Sequence, residues 1–321
     1  MQLFSFKKWF FDILTSDGKY FLLFISKITA LGMTKIYLQA HGAAKTVAGG
    51  YDKKLIFETT LDFIKEQDNS IITRQGSIIF NPRQLTIALR CGEFSANLSY
   101  STLNPSSLQF TPFSLRGKCR SALSWKPLIL KGNVSGELRS GPTQLFSFCD
   151  EQGYVDLVTS TILPFNLPVR EMYWGRMQSA EADLTFTFLR GASKADNPAK
   201  IYCIHLGKVL EFNNVQLAIT EQKKSCNIHL IYPEKYTLTA ECGSARLIIE
   251  IHSHVEAVTN DFIGDTTRYG KTTIRILRSI TGSPKGIKSA ALANILIAEP
   301  DGTRRYENLP LIDEYVCFGC I

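Results

Sequence analysis

The sequence lacks most of the features that announce common functions. The apolar run Tyr20 to Ser26 falls far short of the ~20 residues that a membrane-crossing helix needs. Basic residues outnumber acidic ones by 36 to 29, giving a formal charge of +7, yet they never gather into runs of five or six. Nucleic-acid binding, which needs basic residues clustered on one face, is therefore not expected. The opening MQLFSFKKWFFDILTSDGKYFLLFISK does not follow the basic, apolar, small-residue order of a signal peptide. A soluble, cytoplasmic chain is the expectation, with no integral membrane segment and at most transient contact with a membrane surface.

Catalytic and cofactor signatures are missing as well. The chain has no Gly-x-Ser-x-Gly elbow, no dinucleotide fingerprint and no short repeat. The stretch from Gly264 to Thr272 nearly spells a phosphate loop, but five residues separate Gly264 from Gly270 where the pattern needs four. The next residues, Thr273-Ile-Arg-Ile-Leu, read as a strand, so a hairpin and no cofactor are expected. The eight cysteines are dispersed through a chain without an export signal, which points to free thiols. Cys317 and Cys320 have C-x-x-C spacing but no second pair and no redox context. His252 and His254 would share a face of a strand and could hold zinc with a third ligand, but none is identifiable and no metal is expected.

What remains is a chain of 321 residues, 45% apolar and 20% charged, long enough for two domains with separate cores. Turn signals recur about every ten residues, as in all-β sandwiches and barrels: Asn81-Pro82, Cys91-Gly92, Gly141-Pro142 and Asp301-Gly302 are examples. Between them, stretches such as Leu85 to Leu89, Leu184 to Phe188 and Leu247 to His254 alternate with period two. Helical pattern is confined to Thr60–Gln67 and Lys288–Leu296. The expected fold is mostly β, with two domains and few short helices. The proline-bracketed Leu163 to Pro168 sets the boundary, giving domains 1–165 and 166–321.

One stretch combines a carboxylate with many apolar neighbours: QGYVDLVTSTILPFNLPVREMYWGRM, from Gln152 to Met177. Tyr154 and Asp156 lie two apart, so on a strand they point to one face. Asp156 has two readings, a solvated strand residue or an acid in an apolar pocket. There the charged form would be disfavoured and a proton kept available near neutral pH. Trp125 and Trp174 suit a pocket wall, since an indole face stabilises passing positive charge. Arg176 would pair with a carboxylate or stack on a ring. Because both motifs flank the expected boundary, a site at the domain junction is anticipated.

WFFDILTSDGKYFLLFI, GYVD and MYWGRM together resemble a lipocalin-like family that includes carotenoid 1,2-hydratases (hydroxyneurosporene synthases), AttH-type proteins and Diels–Alderase-like cyclases of natural-product pathways. The resemblance covers residues 9 to 177. It implies two lipocalin-like β-barrel or β-sandwich domains and an apolar site. In the hydratase branch the Tyr and Asp of Gly-Tyr-x-Asp act in acid catalysis, which carries over to Tyr154 and Asp156, and a tryptophan followed closely by proline corresponds to Trp125. Tyr173, Trp174 and Arg176 match the Tyr-Trp-Gly-Arg strand as substrate-binding residues. The Asn-x-Gly that often follows Gly-Tyr-x-Asp is absent, and no histidine lies near Trp125, which weights cyclisation or isomerisation above hydration. The expected function is a cofactor-independent cyclase, isomerase or hydro-lyase acting on a hydrophobic unsaturated molecule, isoprenoid or polyketide-like. The alternatives are a non-catalytic carrier of such a molecule and a protein-interaction module.

Overall fold

The computed structural model describes residues 4–318 except 16–18, 31, 46–50, 68, 104–109, 117–120, 164–165, 180–181, 192–196, 226 and 262–283. The near-phosphate loop at 264–272 falls outside them. The chain divides into two compact units, the first of Met1–Lys45 and Asp52–Ile162, the second of Leu163–Ile321 with the short Thr46–Tyr51 stretch.

In the first unit the strands are β1 (Phe4–Leu14), β2 (Tyr20–Ala30), β3 (Met33–Lys45), β4 (Tyr51–Leu61), β5 (Phe63–Gln67), β6 (Ser70–Thr73), β7 (Gly76–Asn81), β8 (Gln84–Cys91), β9 (Phe94–Thr102), β10 (Phe113–Arg116), β11 (Ala122–Ser140) and β12 (Thr143–Ser160). The second contains β13 (Val169–Gln178), β14 (Ala182–Gly191), β15 (Ala199–His205), β16 (Lys208–Phe212), β17 (Asn214–Lys224), β18 (Ile231–Cys242), β19 (Ala245–Asp261), β20 (Lys285–Glu299) and β21 (Gly302–Cys317). Among the described residues no helix is long and apolar enough to cross a membrane.

Each unit is one antiparallel sheet with a shared plan. Most strands pair with their neighbours in sequence, and the unit's first strand pairs with its last: β1 with β12, β13 with β21. The nine-stranded sheet curls until β15 meets β17 and β16 meets β18, while in the twelve-stranded sheet β3 touches β5. This is barrel-like closure, which leaves few open edges. Hairpins fall where the turn signals stand; Gly92 (φ 63°) and Gly141 (φ 56°) hold left-handed backbone that a side chain would strain.

Two expectations are corrected. Thr60–Gln67 forms the end of β4 and then β5, and Lys288–Leu296 lies inside β20. The Ala- and Leu-rich sequence of the second suits a helix. However, β19 and β21 supply backbone partners on both sides, and Ala291, Ala293, Ile295 and Ile297 turn to the core at period two. Tertiary pairing overrides weak local propensity. Among the cysteines, Cys91, Cys149, Cys203 and Cys242 are free, and burial pushes the Cys203 thiol up to about 12, with Asp183 and Glu299 adding to it. Cys317 is disulfide-bonded, which corrects the expectation of free thiols throughout.

Candidate active site

The paired strands β1 and β12 are buried on both faces around the Gly-Tyr-x-Asp motif. Trp9, Phe11, Ile13 and Val155 turn toward the core of the first unit. The alternate residues, Phe10, Asp12, Tyr154 and Asp156, are buried too, and the register sets Phe10 opposite Asp156 and Asp12 opposite Tyr154. The candidate carboxylate therefore occupies the face of the sheet turned away from that core. Asp156 is only 3% exposed.

Two donors meet Asp156 Oδ2. Tyr154 Oη donates to Oδ2 at 3.0 Å, and Trp125 Nε1 donates to the same oxygen at 2.9 Å. The two-residue spacing accounts for the first bond, and the β11–β12 pairing brings in the second from 31 residues away. The ring of Phe10 meets that of Tyr154 edge-on at 6.2 Å. On β2, next to β1, Tyr20 Oη donates to Asp12 Oδ2 at 3.4 Å, placing a second buried Tyr–Asp pair on an adjoining strand.

The motif's glycine also has a steric reason. A Cβ on Gly153 would sit 2.1 Å from Val134 Cγ2 and 2.9 Å from Tyr100 Cε1, so only glycine lets β12 approach those core side chains. Gly175 of Tyr-Trp-Gly-Arg is alike: its Cβ would lie 2.5 Å from the Phe186 ring.

The other candidates lie in the second unit. Tyr173 belongs to its core and donates to Glu171 Oε2 at 2.8 Å. Burial, then the Glu171 charge, raises the Tyr173 phenol well above its ordinary value, so it stays protonated. Trp174 and Arg176 are buried and alternate with those core residues. The Trp174 ring already carries the Lys288 ammonium 4.5 Å from its centroid. Trp125, Tyr154 and Asp156 thus form one hydrogen-bonded centre, while Tyr173 and Trp174 have partners of their own.

A cluster not anticipated from the sequence lies in the second unit. Tyr236 Oη donates to Asp313 Oδ2 at 2.8 Å, and His254 Nε2 meets the same oxygen at 2.8 Å. His254 Nδ1 faces the Glu234 carbonyl, which can only accept, so Nδ1 carries a proton. One further proton lies between Nε2 and Oδ2. Burial opposes charge on the imidazole, but the Asp313 charge and hydrogen bond, with the Glu234 carbonyl, outweigh it and raise the His254 pKa. A β-bulge falls between His252 and Val255, and both His254 nitrogens are engaged by protein groups, leaving neither for zinc.

A cavity of about 620 Å³ also opens in the first unit, against the Lys126–Ile129 stretch of β11.

No family model matches the sequence, and no curated protein matches it. Solved structures do. An AttH-like protein of Nitrosomonas europaea aligns with a TM-score of 0.60 at 13% identity, covering 99% of this chain and 93% of that one. CghA, solved with Sch210972, gives a TM-score of 0.63 at 10% identity, over 98% of this chain and 89% of that one. Kievitone hydratase from Nectria haematococca gives 0.52 at 9%, over 98% and 89%. The chain thus has the fold of the AttH-like, CghA and kievitone hydratase structures, matching the lipocalin-like group that its WFFD, GYVD and MYWGRM stretches resemble.

Proposed function

We propose that the protein is a cofactor-independent enzyme acting on a hydrophobic, unsaturated small molecule, with Asp156 as its proton donor. The observation that carries this reading is a carboxyl group 3% exposed whose Oδ2 is fixed by Tyr154 and Trp125. Such clamping fixes the plane of the carboxyl group and so orients the acid toward a substrate. Protonation of a double bond or carbonyl leaves positive charge on the substrate, which the faces of neighbouring aromatic rings stabilise. Capture by an internal double bond, with loss of a proton, closes a ring. Capture by water gives a hydrated product, and proton loss alone gives an isomer. The name of one structural neighbour, kievitone hydratase, and the Sch210972 bound to another fit small-molecule chemistry of this breadth. Tyr173, Trp174 and Arg176 remain candidate substrate contacts and carry no step.

A second reading, carriage without chemistry, is favoured by the cavity, since small barrels hold apolar ligands without transforming them. Asp156→Asn separates the two once the mass of a co-purifying molecule supplies the substrate. In an acid catalyst turnover falls about 10²- to 10⁴-fold with ligand affinity retained. Unchanged turnover excludes Asp156 as the donor, and the absence of any conversion by the wild type leaves the carrier.

A further inference from the structure

The cavity in the first unit lies where β11 changes partner. From Gly132 onward β11 pairs with β9, beginning opposite Thr102, whereas upstream, around Trp125, it pairs with the short β10. Between these two partners the stretch Lys126–Ile129 has no paired strand on that side among the described residues, and the space of about 620 Å³ opens against it. That volume is within the range of small-molecule sites. Leu128, Ile129, Phe80 and Leu85 give the wall its apolar character, and Phe80 stacks on Trp9 at 6.1 Å.

Lys126 lines the same cavity. It is half-buried and has no ion-pair partner among the described residues, unlike the half-buried Lys27 on Glu66 or the buried Lys200 on Glu211. An ammonium group beside an apolar wall and without a counter-ion favours a ligand that brings its own negative charge, because the bond formed is charge-assisted. Pro127, the register partner of Asp156, is also in the wall, so the cavity adjoins the strand pair that carries the acid.

We propose that this cavity binds an apolar molecule bearing a carboxylate, with Lys126 taking the carboxylate and the Phe80–Leu128 wall taking the hydrocarbon. This deepens the functional reading by giving its substrate an acidic end, and rests on that reading for any role in turnover; the binding itself does not. The test uses the fluorescent polyene cis-parinaric acid and its methyl ester as probes. Wild-type protein should bind the acid about tenfold more tightly than the ester, a gap of about 1.4 kcal/mol. Lys126→Ala should bind the two equally, through loss of acid affinity, with an unchanged denaturation midpoint. Leu128→Trp, which fills the space, should weaken both. Equal binding of acid and ester by the wild type, or a preference that survives in Lys126→Ala, overturns the proposal, as does full binding by Leu128→Trp. Asp156→Asn should bind both probes as the wild type does, so a failure of acid catalysis leaves this result intact and the reverse also holds.

Discussion

The two units each hold a buried aspartate whose Oδ2 accepts a tyrosine hydroxyl and meets a ring nitrogen, yet the two centres differ in what they can do. At Asp156 the nitrogen belongs to the Trp125 indole, which donates and does not give up its proton under ordinary conditions. At Asp313 it belongs to His254, which can carry charge and is tied to the Glu234 carbonyl through its other nitrogen. Location differs too. Asp156 sits on the sheet face away from its unit's core, while Asp313 bonds to Tyr236 within the core of the second unit. Near-identical carboxylate geometry thus supports two roles. On our reading the aspartate held by Tyr154 and Trp125 serves a substrate, whereas Asp313, joined to Tyr236 and His254, ties β18, β19 and β21 together.

The largest test of this contrast is removal of each acid. Asp313→Ala leaves His254 and Tyr236 without their shared acceptor, and the second unit should lose about 3–5 kcal/mol in urea denaturation. Asp156→Ala should cost less. Equal losses would make both centres structural and dissolve the distinction. Next come the donors: Trp125→Phe and Tyr236→Phe each remove a hydrogen bond to an acidic group, worth about 1.5–3 kcal/mol. Trp125→Phe should in addition lower turnover, while Tyr236→Phe should change only stability, a split read by comparing kcat with the denaturation midpoint. Gly153→Ala pushes a methyl group against Val134 and Tyr100, and overpacking of this kind costs about 1–3 kcal/mol. The smallest effect is with pH. The folded His254 pKa is raised above the unfolded value of 6.5, so its contribution is complete below pH 6.5 and is lost as pH rises through the higher folded value. The wild-type midpoint should therefore fall across that window. In His254→Gln the fall should be absent; a fall of equal size there assigns it to other groups.

The sequence displayed strands better than partners. Period-two runs mark β8 and β19 because a half-buried strand must alternate, while β14, buried on both faces over Ala182–Leu189, still alternates in side-chain type. The run in β20 misleads because its alanines and leucines suit a helix, and only the flanking strands decide otherwise. Tyr154 and Asp156 were legible because their contact spans two residues and depends on strand geometry alone. Trp125 could be attached to them through family resemblance, not through spacing, since 31 residues intervene. Nothing local links Asp313 to Tyr236 or His254, which lie 77 and 59 positions away. The histidine drew notice as a metal candidate, and its actual partner emerges only when three strands are laid side by side.

The change of partner along β11 has a consequence for how such a molecule diversifies. The cavity wall at Lys126–Ile129 lies between the β9 and β10 pairings of β11, so on the binding proposal a change in the length of either pairing would alter the space for a ligand. Ligand size would then follow from the trimming of strand ends, whereas the aspartate is held by side chains of its own, Tyr154 and Trp125.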